Sequence, residues 1–301
     1  MNFSVVIPTY NREKGLRDCL TSILKQTLLP FEVLIIDDGD LPMEFLRETK
    51  KGFDDKKIKF IYYKKNHKEE RRGLSESKNI ALNLINNDIF FILDDDLIID
   101  YNFFEKITRD WKSNDDPNLI GIGGIIKNNR KKRNLEEIYN KIFGLTSKYK
   151  WDINNIGFQV WDEEIIKKEK GYYAHGGVCS YKKSLIKKIG NFSVFDGGRT
   201  ALEDVDFCLR AKNKGYYLII EPKAGVTHNH KSLKRESSFL MGVKEGHNRK
   251  IIFQNNCKKN FRNYTWFCWA NTGWILRQFL TGNFLKGFGM MGGFFNFNKN
   301  D

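Results

Sequence analysis

Three consecutive carboxylates, Asp94, Asp95 and Asp96, follow the five apolar residues Ile89 to Leu93. An apolar run of that length reads as a buried strand of an α/β sheet. Open α/β sheets bind ligands at the carboxyl ends of such strands. In extended chain alternate residues share a face, so Asp94 and Asp96 point one way and Asp95 the other. Like charges this close repel unless something cationic neutralises them, and a hard divalent cation with oxygen ligands suits the need. A solvated loop of turn-forming Asp residues is the competing reading. A second acidic pair, Asp37-Asp38, ends the apolar stretch Glu32 to Ile36. Two acidic strand ends on one sheet edge favour a ligand site over two separate turns. A carboxylate there can accept from a base N–H or a ribose hydroxyl, and Tyr10, at the end of the first strand, can stack on a base. Mg²⁺ or Mn²⁺ at Asp94–Asp96 would sit against phosphates. The ligand implied is a nucleotide diphosphate.

Further along, the pair Gly176-Gly177 is either a tight turn or a place where backbone approaches a ligand closely. Glu203, Asp204 and Asp206 fall in the first turn of a helical pattern whose last turn holds Lys212 and Lys214. Catalytic acids fit that position, and so does plain complementarity to the helix dipole. His228 and His230, two apart after a strand, are candidate metal or phosphate contacts, or ordinary structural histidines.

The elements that must carry these residues are legible from periodicity. Strands are expected at Phe3–Ile7, Glu32–Ile36, Ile58–Tyr63, Ile89–Leu93 and Tyr216–Ile220. Helices are expected at Arg12–Thr27, with Leu16, Leu20, Ile23 and Leu24 on one face, at Ser75–Ile85 with Ser75 as N-cap, at Lys182–Ile189 closed by Gly190, and from Leu202 towards Gly215. The spacing of the strand starts suits βα units and a parallel, Rossmann-like sheet. No GxGxxG follows the first strand and no GxxxxGK[ST] occurs, so dinucleotide and P-loop phosphate binding are unsupported.

The 301-residue chain has room for one large α/β domain plus an appendage. Its five cysteines are scattered, without ligand spacing, and read as reduced thiols in a cytosolic setting. The N-terminus has no basic n-region or cleavage site and reads as a first strand. Of the net charge of +14, most belongs to residues 223–301, which hold 13 Lys/Arg against 3 Asp/Glu. There Trp266, Trp269 and Trp274 precede Phe279, Leu280, Phe284, Leu285, Phe288, Met290 and Met291, interleaved with Arg277 and Lys286. No apolar run reaches the ~18 residues of a spanning helix. Aromatic residues beside cations fit a helix lying in a bilayer interface, or a tail packed on protein. The segment Lys127–Tyr173, basic at Arg130-Lys-Lys-Arg133 and carrying Trp151 and Trp161, is either part of an acceptor site or a surface with buried tryptophans.

Five ordered blocks resemble the family 2 glycosyltransferases of GT-A fold: Ser4-Val-Val-Ile-Pro-Thr-Tyr-Asn11, Ile35-Ile-Asp-Asp-Gly39, Gly73-Leu-Ser-Glu-Ser-Lys-Asn79, Asp94-Asp-Asp96 as a DxD motif, and Glu203-Asp204. Asp40 stands where the family usually has Ser or Thr, and Lys78 where it usually has Arg. Nucleotidyltransferases of similar topology usually carry a GxGTR loop after strand one, absent here. The resemblance implies an α/β fold of GT-A type over residues 1–230, with a nucleotide-binding half (1–100), an acceptor half (101–230) containing the 127–173 insertion, and a helical tail (231–301). It implies inverting, metal-dependent transfer of a sugar from a UDP, dTDP or GDP donor to a hydroxyl or phosphate acceptor, a glycan or lipid-linked glycan of cell-surface polysaccharide or glycoconjugate synthesis. Pro8, Tyr10, Asp38, Gly73, Lys78, Asp94, Asp95, Gly176 and Gly177 would bind the donor. Asp96, with Asp94 and His228, would hold Mg²⁺ or Mn²⁺. Asp204 would be the general base, with Glu203 raising its pKa by like-charge repulsion. The enzyme would sit peripherally on the cytoplasmic face of a membrane through its tail. A basic, non-catalytic membrane- or nucleic-acid-binding protein on a degenerate transferase fold is the alternative; no nucleic-acid-binding motif is present, and such a module leaves the acidic strand ends unexplained.

Overall fold

The computed structural model of the chain describes residues 1–128, 134–195, 202–229 and 237–295. Four strands, β1 (Ser4–Thr9), β2 (Glu32–Asp37), β3 (Lys59–Lys64) and β4 (Ile89–Leu93), pair in parallel in the order β3-β2-β1-β4. The crossovers are α1 (Glu13–Leu24), α2 (Met43–Asp55) and α3 (Leu74–Leu84). The sheet then becomes mixed. Strand β10 (Val178–Lys182) enters antiparallel between β4 and β6 (Leu119–Ile126). Strand β11 (Tyr217–His228) lies parallel to β6, with β5 (Leu97–Ile99) and β9 (Glu169–Gly171) antiparallel along its two halves. The result is a nine-stranded, mostly parallel centre with antiparallel additions.

Both faces of this sheet are covered, which is why its strands read as continuous apolar runs rather than alternating ones. Val5, Ile7, Ile35, Phe91 and Leu93 face one core, packed by α1, α2 and α4 (Phe103–Lys112). Val6, Leu34, Ile36, Phe90 and Ile92 face the other, packed by α3, α6 (Lys183–Ile189) and α7 (Glu203–Asn213). Phe3, Phe91 and Phe104 meet with ring centroids 4.8 to 5.1 Å apart, arrangements that add to their burial.

Three readings change. Helix α2 was not anticipated: only Phe45, Leu46 and Phe53 are buried in a charge-rich stretch, too few to set a clear period. The N-cap of α3 is Gly73, not Ser75, which is buried in the first turn. Strand β11 runs eight residues past Ile220, because β6 and β5 continue to offer it backbone partners.

The 127–173 insertion holds α5 (Asn134–Ile142), the short pair β7 (Asp152–Ile153) and β8 (Gln159–Val160), and β9. Its Arg130–Arg133 cluster lies outside the described residues. The tail forms α8 (Ser238–Asn256), α9 (Phe261–Leu280) and α10 (Phe284–Phe295). Insertion and tail share a third core, in which Phe143 and Phe158 pack with Phe253, Phe267 and Ala270. Helices α8 and α10 touch backbone to backbone: a Cβ on Gly289 or Gly293 would fall 2.0 Å from the carbonyl oxygen of Phe239 or Val243. That contact explains the glycine spacing of α10. No helix among the described residues is long and apolar enough to cross a membrane.

Candidate active site

The three carboxylates lie in the turn between β4 and β5, past the end of the strand, so the turn and not strand alternation sets their directions. Asp94 and Asp96 converge with His228, at the end of β11, so that one ligand atom from each lies within 4.8 Å of the others. Asp95 stays out of that cluster and accepts hydrogen bonds from Thr9 Oγ1 at 2.8 Å and Arg12 Nη1 at 3.0 Å. The same Arg12 nitrogen donates to Asp96 Oδ2 at 2.8 Å. Asp95 therefore braces the loop onto the end of β1. Burial pushes its carboxyl up to about 6, against the pull of Arg12 and Thr9. Burial also raises Asp94, joined by the charges of Asp96 and Asp204 and opposed by Lys78 and His228.

These residues fit a divalent cation. Asp96 Oδ1 is buried and accepts no hydrogen bond among the described residues, and it stands 3.5 Å from His228 Nδ1. Two carboxylates and one imidazole around a common point are a donor set that Mn²⁺ accepts readily and Mg²⁺ tolerates. His230 lies outside the described residues.

Asp204 reaches the same place from the first turn of α7. That helix begins abruptly: Leu202 adopts a left-handed conformation, φ +78°, of the strained kind that clusters at functional sites. Asp204 Oδ2 accepts from Tyr173 Oη at 3.2 Å and from Gly176 N at 3.3 Å, while Oδ1 accepts from Val205 N. The Gly176-Gly177 pair is what allows the two acids to approach. A Cβ on Gly177 would lie 2.2 Å from the Asp94 carboxylate, and one on Gly176 would lie 2.9 Å from Asp204 Cβ. Only glycine fits between them.

Glu203 is a like-charged neighbour of Asp204, and a cation stands beside it. Glu203 is buried and ion-paired with Lys78 at 2.8 Å. Lys78 itself is fully buried, its ammonium above the Phe192 ring, and serves the carboxylates from below rather than reaching into solvent for a phosphate. Burial works against its charge, but Glu203, Asp204 and Asp94 outweigh burial and hold its pKa above the ordinary value.

At the carboxyl end of the same sheet, β1 and β2 finish side by side, Thr9 opposite Asp37. Pro8 is buried in the pairing, whereas Tyr10 is exposed at the rim. Asp38 is held by Lys65 Nζ at 2.8 Å and by Gly73 N at 2.9 Å, with His67 Nδ1 3.8 Å away. A base N–H would share this carboxylate with those donors, which its four lone-pair positions permit.

Several residues around the site carry no motif. Arg12 clamps Asp95 and Asp96, and the only hint was a cation just past the first strand end. Tyr173 donates to Asp204, and His175 contacts Glu163 at 2.8 Å beside it. Trp151, fully buried, and Trp161 both make T-shaped contacts with His175. The insertion's tryptophans thus wall the side of the crevice nearest Asp204.

The comparisons with known proteins agree with this geometry. A family model described as glycosyl transferase family 2 matches residues 4–189. Among curated relatives, glycosyltransferase GlyG of Streptococcus pneumoniae is 28% identical over 39% of this chain and 38% of its own length. The glucosyl-dolichyl phosphate glucuronosyltransferase of Haloferax volcanii is 23% identical over 84% of this chain and 77% of its own. The chain thus spans well under half of GlyG. Among solved structures, the mannosyltransferase PcManGT of Pyrobaculum calidifontis, in complex with GDP-Man and Mn²⁺, superposes with a TM-score of 0.56 at 15% identity, over 93% of this chain and 76% of that one. S. aureus TarS 1–349 in complex with UDP-GlcNAc gives a TM-score of 0.59 at 17% identity, over 91% and 72%. These structural likenesses show a shared GT-A-like fold. With the family model covering more than half its length, this chain belongs to glycosyl transferase family 2.

Proposed function

We propose that this enzyme transfers a sugar, with inversion, from a nucleoside diphosphate sugar to an acceptor hydroxyl. One observation carries the reading: Gly176-Gly177 sits between Asp94 and Asp204, so the candidate metal cluster and the candidate base meet across one glycine pair. The donor's base would lie between Tyr10 and Asp38, its diphosphate towards Asp94, Asp96 and His228. A bound Mn²⁺ or Mg²⁺ would act there as a Lewis acid on the departing diphosphate. Asp204 takes the proton of the acceptor hydroxyl as its oxygen bonds to the anomeric carbon. The bond from that carbon to the phosphate oxygen breaks on the opposite side, and the nucleoside diphosphate leaves with the electron pair. Tyr173 and Gly176 hold the Asp204 carboxylate in place through its Oδ2. Lys78 and Glu203 fix the floor beneath it.

The curated relative from Haloferax volcanii is named for a dolichyl phosphate-linked sugar. Together with the apolar, basic tail this supports a lipid-linked acceptor and a peripheral position at the cytoplasmic membrane face. The test is a thermal-shift panel of UDP-, GDP- and dTDP-sugars with and without Mn²⁺. One donor should stabilise the protein only with the metal, and Asp96→Ala should remove that dependence. Chelator-insensitive binding of every donor, or of none, would sink the reading.

A further inference from the structure

Away from the crevice, a cleft of about 570 Å³ opens in the seam between insertion and tail. Lys141, Lys212, Lys258 and Arg262 line it with six asparagines and Trp266, and no carboxylate does among the described residues. Lys212 is tied to Asp152. Lys141, Lys258 and Arg262 have no ion-pair partner among the described residues. The N-terminus of the 20-residue helix α9, beginning at Phe261, opens at the same place and adds the positive end of its dipole. Four of the six asparagine amides already donate within the protein, so Lys141, Lys258, Arg262 and the Trp266 indole are what an incoming phosphate carrying hydroxyl groups meets, and the volume falls in the usual range for a small-molecule pocket.

The surroundings say where such a phosphate comes from. Leu135, Ile138 and Ile142 form one stripe of α5 and are 78, 55 and 56% exposed. Trp269, Leu276 and Leu280 form an exposed stripe of α9. The two helices are joined where Trp269 Nε1 donates to Ile142 O at 2.8 Å and the Trp269 ring stacks on Phe143. Lys141 lines the cleft and Ile142 belongs to the stripe; Trp266 and Trp269 divide in the same way. The cleft therefore opens at the edge of a bare apolar surface. Residues 237–295 carry eight Lys/Arg and one acid, Glu245, which is buried against Arg249 and Lys286. Arg277 pairs with Glu136 of α5, which leaves Lys141, Lys258 and Arg262 as the cations of the cleft beside this apolar face, a combination that complements an anionic lipid surface.

We propose that this cleft binds the phosphorylated, hydroxyl-bearing headgroup of an anionic membrane lipid, while the α5 and α9 stripes enter the interface beside it. The proposal rests on the peripheral-membrane reading and deepens it: the insertion, not the tail alone, forms the contact, and one phosphate has a built seat. The headgroup site is remote from catalysis. Lys212 lies eight residues beyond Asp204 on α7, about 12 Å along the helix.

The test is co-sedimentation of the full chain with phosphatidylcholine vesicles, with and without phosphatidylglycerol. Wild type should sediment only when phosphatidylglycerol is present. Lys258→Ala/Arg262→Ala should weaken that binding about thirtyfold, the effect expected for two basic residues near a charged surface. Lys50→Ala/Lys51→Ala, an equal charge loss on α2, should leave it unchanged. Glycerol 1-phosphate should compete with the vesicles, and inorganic phosphate at equal ionic strength should not. Leu135→Ser/Ile138→Ser/Ile142→Ser should lower vesicle binding while glycerol 1-phosphate still binds by calorimetry. Equal losses in the two lysine/arginine variants, or no competition by glycerol 1-phosphate, would overturn the cleft in favour of diffuse charge attraction. Mn²⁺-dependent donor stabilisation should persist in every one of these variants. Its absence in wild type would count against the transferase site, not against the cleft.

Discussion

Lys78–Glu203 beneath the crevice and Arg249–Glu245 in the tail are chemically alike and sit in opposite fields. Both pairs are buried, with nitrogen–oxygen distances of 2.8 and 3.1 Å. Around the first, Asp94 and Asp204 add negative charge, so one buried ammonium serves three carboxylates. Burial raises Glu203, and Asp204 adds to it against Lys78. Around the second, Lys286 joins Arg249 at 2.9 Å from Glu245, and Trp274 donates to the same carboxylate. Burial opposes ionisation of Glu245, but Arg249 and Lys286 outweigh it and hold the carboxyl down to about 2. A buried ion pair is thus neutral only on its own. Its neighbours leave the crevice short of positive charge and give Glu245 a surplus of it, part of which, through Arg249, also faces Asp204. The crevice's deficit calls for a cation.

The comparison breaks most visibly at Asp204. Asp204→Asn keeps the shape and removes the proton acceptor, so turnover should fall by ~10²–10⁴, the usual worth of a general base. Donor binding with Mn²⁺ should survive, because the metal cluster is untouched. Steady-state rates and donor thermal shifts on the same preparation separate the two. Near wild-type turnover would show that the crevice's surplus acid is structural.

The two pairs should also respond unequally to loss of their cation. Lys78→Met leaves Glu203 buried without a partner and should cost ~3–5 kcal/mol in urea unfolding. Arg249→Met should cost less, because Lys286 still faces Glu245. The double variant Lys78→Met/Glu203→Leu should recover only part of the first loss, since Asp94 and Asp204 still lose the ammonium they share with Glu203. Equal costs for the two single variants would mean that neighbouring charge does not matter at either site.

Why the crevice was legible and the tail was not follows from the same contrast. The sequence pattern groups Asp94 with Asp96, as the turn after β4 does, and the resemblance names Asp204 and His228. Periodicity cannot say that Asp95 is consumed by Thr9 and Arg12, because that contact spans more than 80 residues of chain. Nor can it find Tyr173 or His175, which lie in an insertion without regular period and reach Asp204 only through the fold. Lys78 was read as a ligand for the donor. Its burial under Gly176 depends on packing against Phe192, which spacing does not encode. In the tail, aromatic and basic composition was plain, but α5 as its partner was not. The residues that join them, Phe143 and Phe158 with Phe253 and Phe267, are ordinary core phenylalanines in sequence.

Acid sharpens the tail's half of the comparison. The Glu245 carboxyl lies at about 2 in the folded chain, below its unfolded value of 4.5. Its contribution is therefore fully present above pH 4.5 and is lost as the pH falls from there towards 2. Over that window the native state should lose up to about 3 kcal/mol from this group. Glu245→Gln should be less stable at neutral pH and flatter across the window. Glu203 works with the opposite sign, since its raised pKa makes ionisation the costly form, so it gives the crevice no matching loss in acid. A tail that melts with the same pH slope in Glu245→Gln as in wild type would remove the positive surplus from the account.

The smallest effect tests how finely the crevice holds its base. Tyr173 is buried against Trp151 and Trp161, and burial together with Asp204 drives its phenol well above the ordinary value, so it remains a donor at any working pH. Its hydroxyl bonds Asp204 Oδ2, the oxygen that Gly176 N also holds, while Oδ1 is held by Val205 N. Tyr173→Phe removes one of these three donors and keeps the ring. A single hydrogen bond is worth ~0.5–1.5 kcal/mol, so the turnover number should drop by about two- to tenfold. Donor KM should stay put, because the phenol faces the base and not the metal cluster. A rise in donor KM with unchanged turnover would place Tyr173 on the nucleotide side of the crevice, and the assignment of Asp204 to the acceptor side would have to be redrawn with it.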